Sequence, residues 1–184
     1  MGKRIVNFKG RIKGDSVYFI LNSFVCYIPF WFIRKFFYKL FGLKILNDSR
    51  IAIKTIVISP KKISIGKRTI INEGCFLDGR GGLIIGNDVS ISVASKIITA
   101  SHKSSSSTFE YKSSKTIIEN NVWLGIGAII LDNSYLREGA IVSAGSVFKG
   151  DSEKLGIYSG NLAKKVAIRR LKKKYEIEYH PFFR

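Results

Sequence analysis

An aliphatic beat with a six-residue period runs from Ile65 to Val147 and constrains the fold of this chain more than any other feature. Ile65, Ile71 and Leu77 open three steps; Ile85, Ile91 and Ile97 open three more. After an interruption the beat resumes at Ile118, Leu124, Ile130, Leu136, Val142 and Phe148. Four positions further into each step sits a small or β-branched residue: Thr69, Cys75, Gly81, Val89, Ser95, Ser101, Val122, Ala128, Ser134, Ala140 and Ser146. The second position is often glycine or polar, as at Gly66, Asn72, Asp78, Gly86 and Gly125. Neither the roughly 3.6-residue period of a helix nor simple strand alternation gives this spacing. It is the period of a parallel β-helix made of hexapeptides, three short strands to a coil. The large aliphatic fills the coil interior, the small residue fits the tight corner, and stacked coils bury one another.

The beat extends backwards through Ile45, Ile51 and Val57. Ile45, Ile65 and Ile85 fall twenty apart, so the first coils read as eighteen residues plus a two-residue corner, with Gly81-Gly82 supplying one such corner. The polar, serine-rich stretch 103–116 reads as a loop thrown out of the wall. Regular coils resume at Ile117 or Ile118, and the pattern ends near Val166. Met1–Asp15 reads as an extended lead-in, with Asp15 or Ser16 capping a helix that starts at Val17. Pro29 should kink or split that helix, and Gly42 should stop it. Ala167–Ile177 reads as a basic helix. The chain thus divides into an aromatic, basic helical segment over 1–44, a β-helix over 45–166 with an external loop at 103–116, and a basic tail over 167–184.

Five blocks carry a resemblance: IIGNDVSIS (Ile84–Ser92), IITASHK (Ile97–Lys103), IIENNVWLGIGAIIL (Ile117–Leu131), EGAIVSAGSVFKGD (Glu138–Asp151) and GNLAKKV (Gly160–Val166). In this order they resemble the hexapeptide-repeat acyltransferase superfamily, most closely its sugar O-acetyltransferases of the maltose, galactoside and surface-polysaccharide types. The resemblance implies a left-handed parallel β-helix, an all-β fold flanked here by an N-terminal helical segment and a short C-terminal helix. It also implies acetyl-CoA as co-substrate and a homotrimer. His102 matches the general base of the family's TA-x-H block. An alcohol is a poor nucleophile, and an imidazole titrating near neutrality can take its proton as the oxygen attacks a thioester. Asn72 and Asp78 fall where the family places groups around the acceptor sugar, with Glu73 as an alternative; equally, they satisfy turn backbone. The family's cofactor contacts map onto Gly125, Ile126, Gly127 and Ala144. Cations for the nucleotide phosphates map onto Lys149, Lys164 and Lys165. Backbone N–H groups around Gly125–Gly127 are candidates for holding an oxyanion. Trp123 flanks the cofactor arm or packs at a subunit seam. Cys75 reads as core filler rather than a nucleophile.

The sequence departs from the family pattern in places. Lys149-Gly150-Asp151 stands for Thr-Lys-Asp, and Leu162 stands for a proline. The activity implied is transfer of acetyl from acetyl-CoA to a hydroxyl of a sugar or surface-polysaccharide precursor. The rival activity is N-acetylation of a nucleotide-linked amino sugar. A rival of another class is a membrane-associated scaffold without catalysis. A zinc hydratase on this fold needs about three histidines, and His102 alone is well placed, so no metal is expected.

The chain carries 31 Lys and Arg against 13 Asp and Glu, a net charge of +18. Such an excess implies an anionic partner. No nucleic-acid motif is recognisable, so the expected partners are the cofactor and an anionic membrane surface. The aromatic run Val17–Phe41 admits three readings: an interfacial helix with Arg34, Lys35, Lys39 and Lys44 toward lipid, a helix packed on the β-helix or a neighbouring subunit, and a short span. A full span needs about 20 apolar residues, and Asn22 and Pro29 interrupt this one. The expected location is the cytoplasm, with contact on the inner face of the membrane under the first reading. Cys26 and Cys75 make no disulfide framework, which fits a reducing compartment.

Overall fold

A computed structural model describes residues 8–171 and 174–179. The hexad beat winds the backbone into a three-walled column. The first wall stacks strands Lys44–Ile45, Ile63–Ile65, Leu83–Ile85, Thr116–Ile118 and Tyr135–Leu136, all parallel. The second stacks Arg50–Ile51, Ile70–Ile71, Ser90–Ile91, Trp123–Leu124, Ile141–Val142 and Gly156–Gly160. The third stacks Ile56–Ile58, Phe76–Asp78, Lys96–Ile97, Ile129–Ile130 and Val147–Phe148.

Register follows the sequence arithmetic. Ile45, Ile65, Ile85, Ile118 and Leu136 stand directly under one another. So do Ile51, Ile71, Ile91, Leu124, Val142 and Tyr158. Val57, Leu77, Ile97, Ile130 and Phe148 form the third column. All are buried. The small corner residues have a second task beyond fitting. Thr69 Oγ1 donates to the Gly86 carbonyl (2.8 Å), Thr55 Oγ1 to Asn72 (3.2 Å), Cys75 Sγ to Ser92 (3.2 Å) and Ser95 Oγ to Gly125 (3.0 Å). Each such bond ties a corner to a carbonyl of the next coil.

The N-terminal segment closes the open end of the stack. Helix α1 spans Phe8–Ser23, a 3₁₀ turn covers Val25–Tyr27, and helix α2 spans Trp31–Leu40. Pro29 does divide the segment, and Gly42, at φ +93°, does end it. The lead-in is a correction: helix already runs at Phe8, well before Asp15, and the described residues before Val17 are helical rather than extended. The first coil lacks a preceding coil, so its strand edges need substitute partners. Asn22 supplies one. Its Nδ2 donates to the Val57 carbonyl (3.0 Å) and its Oδ1 accepts the Val57 N–H (2.8 Å), as a strand residue would. Arg34 supplies another, donating from Nη2 to the Ile51 carbonyl at 3.0 Å and from Nη1 to Ile28. Arg34 is fully buried, so burial pulls its pKa down. Lipid contact through Arg34 is thereby overturned; it is a capping group.

The C-terminal helix is also overturned. Gly156–Gly160 and Ala163–Ile168 form an antiparallel hairpin on the second wall. The described residues beyond it form no helix and climb the corner between the first and second walls. Arg169 donates to the Asn121 carbonyl (2.8 Å), Asn121 Nδ2 to the Tyr175 carbonyl (2.9 Å), and the Ile177 N–H to Asp88 (3.0 Å). Glu176 meets Arg68 at 3.2 Å, and Arg68 clasps Asp88 with two bonds. A helix would satisfy these backbone groups internally and leave the corner side chains unpaired. His180 lies outside the described residues.

Candidate functional site

The interruption at 103–116 is an ordered hairpin, with Ala100–His102 pairing antiparallel to Tyr111–Ser113. Its return strand ends before Thr116, which is buried in the first wall. The hairpin leaves the column at the corner between the third and first walls, and Asp78 fixes that root. Asp78 is fully buried. It accepts two bonds from the Arg80 side chain (2.9 and 3.0 Å), one from the Arg80 N–H (2.9 Å) and one from the Thr99 N–H (3.0 Å). Burial alone would raise the Asp78 pKa, but these bonds outweigh it and hold the carboxyl below its usual range. Thr99 Oγ1 donates to the Asp78 carbonyl (2.9 Å) and accepts the Gly81 N–H (2.8 Å). A Cβ at Gly81 would lie 2.4 Å from the Ser114 carbonyl, so only glycine lets the hairpin pass.

His102 is the exposed end of this arrangement. Its Nδ1 lies 2.9 Å from the Phe109 carbonyl. A carbonyl cannot donate, so Nδ1 carries the hydrogen, and in the neutral ring Nε2 is the nitrogen left to accept a proton. The imidazole stacks on the Phe109 ring (centroids 3.7 Å, 14° between planes) and meets Tyr111 edge-on at 6.0 Å. Phe109 holds a left-handed backbone, φ +53°, which turns its carbonyl back to the histidine. Lys149 stands on the same edge, two coils on. It pairs with Asp132 at 3.2 Å, and the hairpin's Lys112 approaches the same carboxylate at 3.7 Å.

Apart from Lys164 and Lys165, the other expected residues occupy the next edge of the column, between the second and third walls. Asn72 and Glu73, Val93, Gly125–Gly127 and Ala144 succeed one another there, linked by backbone bonds from Ala94 to Glu73, Gly127 to Val93 and Gly145 to Ile126. Asn72 donates Nδ2 to the Ile91 carbonyl (2.9 Å). With Arg50, Ala52, Glu73, Val93 and Tyr179 it lines a cavity of about 230 Å³. Gly125 is required by packing, since a Cβ would sit 2.4 Å from the Ala144 nitrogen. The N–H groups of Gly125 and Gly127 are donated to Val142 and Val93 (2.8 and 2.9 Å), so those two cannot form the expected oxyanion hole. Ile126 is 62% exposed and Trp123 44% exposed; the indole N–H donates to Ser92 Oγ (3.2 Å). Lys164 and Lys165 lie on the terminal strand, Lys165 paired with Glu153. Burial pushes the Cys75 thiol up to about 11, against any nucleophilic role.

One chain therefore gathers His102, Asp78 and Lys149 on one edge and Asn72, Gly125, Ile126, Gly127 and Ala144 on another. Thr99, Arg80, Asp132 and Phe109 are additional groups around the hairpin. Phe109 had one sequence signal, as one of two aromatics with Tyr111 in a polar loop; Thr99 stood in the TA-x-H block without a role of its own, and Asp132 had no signal beyond its hexad position.

The column superposes on solved structures. A hexapeptide-repeat acetyltransferase, VCA0836 of Vibrio cholerae, solved with acetyl coenzyme A, gives a TM-score of 0.75 over 92% of this chain and 93% of its own, at 20% identity. Galactoside acetyltransferase, solved with coenzyme A, gives 0.75 over 93% and 89%, at 18% identity. This chain has the fold of the hexapeptide-repeat acetyltransferases. AntD, an N-acyltransferase of Bacillus cereus, superposes less fully, with a TM-score of 0.61 over 73% of this chain and 88% of its own, at 22% identity. In sequence, a candidate acetyltransferase of Schizosaccharomyces pombe, C18B11.09c, is 29% identical over 108 residues, 56% of this chain. The chain spans about half of that relative, 52% of its length. No family model matches the chain.

Proposed function

We propose that this protein is an acetyl-CoA-dependent O-acetyltransferase acting on a sugar hydroxyl, of the kind needed to modify a surface-polysaccharide precursor. The observation that carries the reading is the exposed His102, held by Phe109 through Nδ1 so that Nε2 is the nitrogen left to act as the base. Nε2 takes the hydroxyl proton as the sugar oxygen bonds to the thioester carbonyl carbon. The C–S bond then breaks, and the departing thiolate receives that proton from the imidazolium. No acyl-enzyme is required. The cofactor's pantetheine arm lies along the edge bearing Gly125, Ile126, Gly127 and Ala144, with Lys149, Lys164 and Lys165 toward its phosphates.

These groups occupy two edges of one column, so a complete site needs the hairpin edge of one copy against the cofactor edge of the next. A cyclic homotrimer closes three such seams with identical contacts and covers Trp123 and Ile126. Since acetyl-CoA is the donor, the reaction is assigned to the cytoplasmic side. The likeness to AntD favours a second reading, acyl transfer to an amine on a nucleotide-linked amino sugar.

One experiment decides between them. Purified protein is given acetyl-CoA with neutral sugars and with nucleotide-linked amino sugars; thiol release is followed, and each product is treated with mild base. The proposal expects thiol release with a neutral sugar and a base-labile acetyl ester. A base-stable product assigns the amine reading, and no release with any acceptor removes both.

A further inference from the structure

We propose that the N-terminal cap is a membrane-binding surface that lays the end of the column on an anionic bilayer. The reasoning begins with α2. Its inner stripe, Trp31, Arg34 and Tyr38, is buried on the first coil. Its opposite stripe should then be polar. It is instead Phe32, Phe36 and Leu40, which are 72%, 62% and 63% exposed. The same surplus continues on the neighbouring elements. Tyr18, Phe19 and Phe24 on and after α1, Tyr27 in the 3₁₀ turn and Phe30 before α2 are all exposed. Some of these rings already pack on one another, Phe19 on Phe24 at 5.3 Å and Phe30 on Phe32 at 5.9 Å. Clustered bulky aromatics at this density are costly to hold in water. At a bilayer interface such rings sit favourably at headgroup depth.

The charges select lipid as the occupant. Lys35 and Lys39 flank the exposed stripe of α2, and Lys44 follows it; Asp15 is the single carboxylate between residues 8 and 44. A second copy docked symmetrically on this face would set these lysines against their own equivalents. Anionic headgroups instead meet them with opposite charge. Among the described residues no helix is long and apolar enough to cross a bilayer, so the helices lie on it rather than through it. Their buried faces pair with the open strand edges of the first coil through Asn22 and Arg34, so their exposed faces look away from the stack. The column then projects from the membrane. His102 leaves the third coil, two coil spacings of about 4.8 Å down and one helix layer of about 10 Å away.

The test is flotation of the full chain with vesicles of phosphatidylglycerol and phosphatidylcholine in equal parts, and with phosphatidylcholine alone. Wild type is expected to float with the anionic vesicles and poorly with the neutral ones, with binding weakened by salt. The F32S/F36S/L40S variant is expected to lose binding by at least about tenfold, and K35E/K39E to lose about tenfold on anionic vesicles. All these positions are outside the buried stripe, and unchanged thermal melting confirms that each variant folds. Wild type that floats with neither vesicle, equal flotation on both, or a triple-serine variant that floats like wild type overturns the proposal. So does a concentration-dependent doubling of mass that the triple variant abolishes while no vesicle is bound; the face is then a contact between copies.

Discussion

The coil wall and the hairpin at 100–113 are neighbours in sequence but are held in different ways. In the wall, Leu124 lies between Ile91 and Val142 in a column of aliphatics, with no freedom to move without opening a void. In the hairpin, most side chains are exposed, and order comes from a short polar network at the root and a few local bonds near the tip. Stability therefore resides in the wall, and the exposed imidazole resides on a part that contributes little to it. A solenoid tolerates such an outgrowth because the coils on either side of it still pair directly, Leu83–Ile85 with Thr116–Ile118.

If the division is real, substitutions in the two regions fail in opposite ways. The largest effect is expected at His102. His102→Ala should lower the acetylation rate by about 10²–10⁴ with an unchanged melting temperature, measured by initial rates beside calorimetry. A rate within a few-fold of wild type would take His102 out of the mechanism. Leu124→Ala should do the reverse. Loss of a buried leucine leaves a cavity and costs about 2–5 kcal/mol, read as a clear drop in melting temperature. Per folded molecule, at a temperature well below the transition, its rate should match wild type. If Leu124→Ala slows chemistry as much as His102→Ala does, the hairpin is not independent of the wall and the comparison fails.

The same division explains what could be read from sequence. The columns were legible because each depends on one residue type at one spacing, and pairing only repeats the arithmetic: Ile45 over Ile65 over Ile85 is the twenty-residue step made visible. The split of the N-terminal segment at Pro29 was legible for a similar local reason. Asn22 and Arg34 were not. In sequence Asn22 looks like an interruption of an apolar run and Arg34 like a cation for lipid, and only the unpaired edge of the first coil gives them their purpose. The tail was misread because its lysines suggested a solvated helix. Tyr175-Glu176-Ile177-Glu178-Tyr179 alternates with period two, the mark of an extended strand. The assignment of His102 to one edge and Gly125–Gly127 to another was also out of reach, because hexad position fixes which corner a residue joins only once the length of the interruption is known.

The smallest expected effect falls where the two regions meet, at Asp78. Its folded-state pKa lies below the ordinary carboxylate value of about 3.9. A depressed carboxyl contributes stability that is complete above that value and is lost as pH falls through the folded one. What is lost first is local, because Asp78 accepts the Thr99 N–H at the hairpin root while the stacked columns carry no carboxylate. Amide exchange at Thr99 and Ser114 should therefore accelerate as pH falls below the ordinary range, after correction for intrinsic rates, while exchange at Leu124 and Ile130 holds. Asp78→Asn weakens the bonds to Arg80 and Thr99 at every pH. It should exchange faster at the root already at neutral pH and show no further step in acid. Root and column amides loosening together would mean that Asp78 supports the whole column rather than the hairpin alone.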